Sequence, residues 1–98
     1  MNLDKELVNE ITEICSKYDY IDKVIIFGSR ARGDNSLKSD IDLGVYSNKP
    51  IGEFIEDVEL NTRTLLEYDF SHINTVHDEF FIEQISKDGI VIYDKCRI

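Results

Sequence analysis

Val24-Ile25-Ile26-Phe27 is a short, unbroken apolar run closed by Gly28. Its length and β-branched content predict a strand buried on both faces. A glycine at its end lets the backbone turn tightly and approach a ligand closely, because there is no Cβ to collide. Ser29 to Arg32 then form a short helix or turn, Gly33 is its stop, and Gly33-Asp34-Asn35-Ser36 has the composition of a loop. From Asp40 to Tyr46 the pattern becomes strict alternation, with Asp40, Asp42 and Gly44 on one side and Ile41, Leu43 and Val45 on the other. That is a second strand with one apolar face.

The remaining segments supply what such strands pack against. Leu3, Leu7, Val8, Ile11, Ile14, Cys15 and Tyr18 recur at helical spacing and predict an amphipathic helix over residues 3 to 18. Pro50 suits the first turn of another helix, and Ile51, Phe54, Ile55, Val58, Leu65 and Leu66 carry its apolar stripe to about residue 66. Tyr68 to Val76 reads as a third strand, with Tyr68, Phe70 and His72 on one face and Asp69, Ser71 and Ile73 on the other. Asp78 is an N-cap for a helix bearing Phe80, Phe81, Ile82 and Ile85, Gly89 ends it, and Ile90 to Tyr93 is a last short strand. The expected class is α+β: one small mixed sheet of four strands, backed by helices on its apolar face.

Ninety-eight residues fit one domain, residues 1–98, with one modest core. Cys15 and Cys96 stand far apart and form no CxxC pair, which argues against a zinc site or a disulfide framework, and Cys15 on the helical stripe is a buried small hydrophobe. The N-terminus is charged from the start, without the apolar core of a signal peptide, and no run approaches the roughly 20 apolar residues of a membrane span. A cytoplasmic domain is expected. With 20 acidic and 11 basic residues the net charge is −9, which argues against direct nucleic-acid binding and suits a basic protein partner. An acidic protein that holds an anionic triphosphate needs a cation between them.

The chemistry lies in two neighbouring segments, Gly28-Ser29-Arg30-Ala31-Arg32-Gly33 and Ser39-Asp40-Ile41-Asp42. Residues two apart on a strand share a face, so Asp40 and Asp42 present adjacent carboxylates that repel unless a cation intervenes or one is protonated. Magnesium, a hard ion satisfied by one or two carboxylates, water and phosphate oxygens, fits that position. Asp69 joins them if its strand lies beside theirs. Three carboxylates can serve two metal ions in an in-line displacement at phosphorus, with Asp69 as a general base. Ser29 opens a helical turn whose N–H groups and hydroxyl can bind phosphate oxygens, and Arg30 and Arg32 are candidates for charge-assisted hydrogen bonds to them. His72 is expected among aromatic neighbours and His77 in a loop, neither with a role.

These residues resemble the minimal nucleotidyltransferases of the DNA polymerase β-like superfamily. That family's motif is Gly-Ser, a short turn containing Arg and Gly, Asp-x-Asp on the next strand, and a third Asp on a later one. The resemblance is tight over residues 24 to 46 and extends to the element order of most of the chain. It implies a nucleotidyltransferase-like fold and Mg2+-dependent transfer of a nucleoside monophosphate, commonly AMP from ATP. Asp40, Asp42 and Asp69 would be the catalytic and metal-binding acids. Gly28, Ser29, Arg30, Arg32, Gly33 and Ser39 would bind the nucleotide.

Larger relatives add a helical acceptor-binding domain, so this chain implies a second protein or a homo- or hetero-oligomer to complete that surface. Minimal members often pair with a small helical protein of the HEPN family as toxin and antitoxin, and in some pairs the nucleotidyltransferase is the antitoxin and adenylylates its partner, commonly at tyrosine. Three readings stand at this point. One is an antitoxin that adenylylates a HEPN-type toxin, another a non-catalytic antitoxin that neutralises by binding, and the third a nucleotidyltransferase acting on a small molecule.

Overall fold

Four strands form one mixed sheet in the order β3-β2-β1-β4, seen in a computed structural model that describes residues 1–97. The chain runs α1 (Lys5–Cys15), β1 (Ile21–Phe27), α2 (Gly28–Arg32), β2 (Ile41–Ser47), α3 (Gly52–Asn61), β3 (Tyr68–His72), α4 (Glu79–Asp88) and β4 (Ile90–Asp94), with 3-10 turns at Ile73–Thr75 and Lys95–Arg97. β1 lies antiparallel to both β2 and β4, while β2 and β3 run parallel. The crossover that a parallel pair requires is provided by α3.

Side-chain alternation divides the sheet into two faces. Val24, Ile26, Ile41, Leu43, Val45 and Tyr93 enter the main core with Leu7, Ile11, Ile14 and Cys15 of α1 and Phe54 and Val58 of α3. Ile25 points the other way and packs with Ile73 and with Ile85 of α4. The expectation of helices on a single face is therefore corrected: β1 is apolar on both faces because α4 covers the second one. Gly44 makes that cover possible, since a Cβ there would press on Ile25 and Ile73.

Boundaries differ from the periodic reading where the backbone has a local reason to stop. Asp4 caps α1 by accepting from the Glu6 N–H, and α1 ends at Cys15. β1 begins at Ile21, because Ile21 pairs with Ser47 and Lys23 with Tyr46 despite the polarity of the segment, and Asp22 stands at the register shift between them. α3 is shorter than its apolar stripe suggested. Its chain turns extended at Thr62, whose hydroxyl bonds to the Val58 carbonyl and to Tyr68 Oη, and Leu65 beyond it is fully exposed. β3 ends at His72, and Ile73 enters the 3-10 turn with its side chain buried. Asp78 caps α4 as expected, its carboxylate accepting from the N–H groups of Phe80 and Phe81. Phe80 itself is turned out, 70% exposed, and the buried contact of α4 is made by Phe81 and Ile85. Among the described residues no helix is long and apolar enough to cross a membrane.

Candidate active site

The site is built where β1 ends, and its first requirement is space. Gly28 has φ +74°, a left-handed conformation that carries a steric cost for any residue with a Cβ, and the position of that Cβ is filled by Asp42 Oδ2. The register explains the encounter: Phe27, the residue before Gly28, is the cross-strand partner of Asp42. Gly28 thus turns the chain out of the sheet beneath the Asp42 carboxylate and begins α2, whose N-terminus no side chain caps. Ser29 lies in this first turn, partly exposed. Gly33, at φ +86°, closes α2 in the left-handed region, and its N–H returns to the Ser29 carbonyl at 2.8 Å.

The acids converge through the sheet. Asp42 and Asp69 are register partners on the parallel strands β2 and β3, on the face opposite Leu43 and Phe70. Asp40 is exposed in the segment just before β2. Burial first, and then the charges of Asp69 and Asp40, raise the Asp42 carboxyl above its ordinary value, while Arg32 pulls it back. All three acids therefore share one electrostatic neighbourhood, and a cation would relieve their repulsion. Their donor chemistry, hard carboxylate oxygens, fits Mg2+. Among the described residues no group of three or more His, Cys, Asp or Glu side chains forms a ready-made metal cage. An ion here would draw further ligands from substrate and water, as Mg2+ commonly does.

The two arginines of the turn part company. Arg30 is buried, 6% exposed, and its guanidinium donates to the backbone carbonyls of Ser39 (3.0 Å), Asn2 (3.2 Å) and Leu37 (3.3 Å). Its donors tie the N-terminus and the loop before β2 to α2, so Arg30 is structural and is withdrawn from the phosphate-binding set. Arg32 remains at the surface, paired with Asp34 and Asp88. Ser39 also serves the loop: its hydroxyl accepts from the Ser36 N–H and pairs with the Ser36 hydroxyl. His72 faces the core side, with Nε2 2.9 Å from the Ser47 carbonyl, and His77 is exposed in the loop before α4.

Two residues near the site escaped the sequence pattern. Phe27 neighbours Asp42 in register and meets Phe81 edge-on at 5.5 Å between ring centroids, fixing α4 against the strand that ends at Gly28. Asp88 reaches Arg32 from α4. Its only sequence signal was an acid in the last turn of a helix, the end where the backbone dipole disfavours one.

The family model described as polymerase beta, nucleotidyltransferase matches residues 9–98. A Methanocaldococcus jannaschii protein provisionally named a protein adenylyltransferase is 38% identical over 69 residues, which are 69% of this chain and 66% of that protein. The chain thus spans just under two thirds of that relative's length. A solved structure of a provisionally named nucleotidyltransferase from Sulfolobus solfataricus is 31% identical, covers 94% of this chain and 81% of that one, and has a TM-score of 0.56. A chain in the complex of tri-AMPylated Shewanella oneidensis HEPN toxin with MNT antitoxin superposes with a TM-score of 0.66 at 14% identity, over 97% of this chain and 76% of that one, a likeness of fold.

Proposed function

The chain belongs to the polymerase beta nucleotidyltransferase family, and on that premise we propose that it transfers AMP from ATP to a protein acceptor. The observation that carries this reading is the Asp42 carboxylate lying over Gly28 with Asp69 as its register partner. That arrangement sets acids beside a turn open to a phosphate chain. In the proposed reaction Asp40, Asp42 and Asp69 hold Mg2+. The chemistry that Mg2+ supplies when bound is neutralisation of phosphate charge and a lowered pKa for the attacking hydroxyl.

The protein's own groups position the reactants. The N–H groups of the first turn of α2 and the Ser29 hydroxyl hold the triphosphate, and Arg32 adds a charged donor. Gly28 and Gly33 keep side chains out of the way. The acceptor hydroxyl attacks the α-phosphorus in line with the α–β bridging oxygen. The new P–O bond forms, the bridging bond breaks, pyrophosphate leaves, and Asp69 accepts the hydroxyl proton.

The acceptor we propose is a small helical HEPN-type partner, with this chain as the antitoxin of the pair. The adenylyltransferase name of the M. jannaschii relative and the AMPylated toxin in the S. oneidensis complex support that choice. The net charge of −9 suits a basic partner surface. Intact-mass spectrometry of the protein that co-purifies with this chain, before and after ATP and Mg2+, tests the proposal. A partner gaining one or more adenylyl units, and gaining none with the Asp42→Asn variant, is the expected result. A stable partner of unchanged mass would overturn transfer in favour of neutralisation by binding.

A further inference from the structure

Arg32 ends α2 and meets carboxylates from two directions. Its Nε donates to Asp34 Oδ2 at 3.1 Å, and Nη1 lies 3.6 Å from Asp88 Oδ2. Asp34 belongs to the loop two residues on, whereas Asp88 is the last residue of α4. A carboxylate in a helix's final turn faces the negative end of the backbone dipole, which disfavours it unless a cation stands nearby. Arg32 is that cation, and this is the one ion pair that Asp88 makes among the described residues.

We propose, on the nucleotidyl-transfer reading above, that Asp88 is a positioning residue for the nucleotide: with Asp34 it holds the Arg32 guanidinium beside the Gly28–Asp42 site, where that guanidinium binds the triphosphate. Arg30 cannot take this part, because its donors are committed to three backbone carbonyls. Arg32 can: its side chain is 43% exposed, and its guanidinium makes one hydrogen bond among the described residues, from Nε to Asp34. Its charge is also felt at Asp42. The anchor is rigid on the α4 side, since Phe81 packs on Phe27 and Ile85 on Ile25. Asp34 alone, in an exposed loop, would leave the long arginine side chain more conformers to lose on binding. A second tether on a packed helix removes that freedom beforehand.

Calorimetric titration with a non-hydrolysable ATP analogue and Mg2+ tests the role on the full chain, with a melting curve for each variant. Arg32→Ala is expected to weaken binding about tenfold or more, as loss of a charge-assisted phosphate contact does. Exposed ion pairs are weak, so Asp88→Asn should weaken it only about three- to fivefold. Asp88→Glu should restore most of that loss. In the Arg32→Ala/Asp88→Asn double variant the second change should add nothing, because Asp88 acts through Arg32. Unchanged or tighter binding by Asp88→Asn, or additive losses in the double variant, would overturn the role; tighter binding would mean that the acid competes with phosphate. A purely structural Asp88 would lower the melting temperature and leave affinity alone. Failure of the wild-type chain to bind the analogue would instead bring down the nucleotidyl-transfer reading, and this inference with it.

Discussion

The Asp42 carboxylate occupies the space in which a side chain at Gly28 would have to stand, and Gly28 itself is held at φ +74°. The glycine of the turn and the acid of the following strand are therefore one steric unit, although fourteen positions separate them. Any residue at 28 with a Cβ must either flip the turn or push the acid aside.

Gly28→Ala should accordingly lose both stability and transfer. An L-residue in the left-handed region costs about 1–2 kcal/mol, which for a chain of this size lowers the melting temperature by about 5–15 °C. Displacement of Asp42 should remove adenylyl transfer even at temperatures where the variant is fully folded. A melting curve together with intact-mass analysis of the partner checks both. Retained transfer would show that the Asp42 position over Gly28 is not needed.

Asp42→Asn should separate stability from activity in the opposite sense. The folded environment raises the Asp42 carboxyl above the ordinary value of 3.8, through burial first and then Asp69 and Asp40. A raised carboxyl favours the protonated form in the fold, so stability is lost as the pH rises from 3.8 through the raised value, and the penalty is constant above it. The neutral isostere escapes that penalty. In chelator at pH 8 it should melt higher than the wild-type chain. The advantage should fade as the pH falls towards 4. Addition of ATP and Mg2+ should stabilise the wild-type chain and leave the variant unmoved. A variant less stable than wild type at pH 8 would contradict the repulsion.

Arg30→Lys should behave as a core mutation. Lysine keeps the charge but lacks the fork that spans the carbonyls of Asn2, Leu37 and Ser39. Losing hydrogen bonds from a buried charged donor costs about 1.5–3 kcal/mol for each contact, partly offset by the lysine's own. The melting temperature should fall by about 10 °C or more, while nucleotide affinity of the folded protein at low temperature stays close to wild type. A large affinity loss with an unchanged melting temperature would return Arg30 to the phosphate site.

The two thiols should react at very different rates. Cys15 is fully buried, and burial pushes its thiol up to about 12, whereas Cys96 is exposed. An alkylating reagent at pH 8 should add one label quickly at Cys96. A second label should appear only at the rate at which the chain opens, because a buried, protonated thiol is a poor nucleophile. Mass spectrometry over time distinguishes the two. Simultaneous double labelling would mean that α1 does not pack as described.

What was legible in the sequence was whatever a local rule controls. The alternation from Asp40 to Tyr46 followed from the two-residue period of a strand, and β2 carries it with Ile41, Leu43 and Val45 buried and Asp42 on the other face. Asp78 as a cap and Gly33 as a stop followed from the backbone groups that helix ends leave unpaired. The Gly-Ser and Asp-x-Asp spacing was equally plain. Local periodicity could not tell where a helix leaves its stripe. Hence α3 stops at Asn61, its next turn being drawn off by Thr62 and Tyr68 from outside the helix.

By itself, then, the sequence determined which segments become strands and helices and which face of β2 carries Asp42, because sterics and hydrophobic periodicity act between near neighbours. Only the tertiary structure decided that β3 lies parallel beside β2 and brings Asp69 into register with Asp42. It alone turned Arg30 inward, left Arg32 at the surface between Asp34 and Asp88, and laid α4 across the second face of β1. Those outcomes depend on contacts between residues far apart in the chain, where packing volume and the pairing of buried polar groups choose among arrangements that local pattern leaves equivalent.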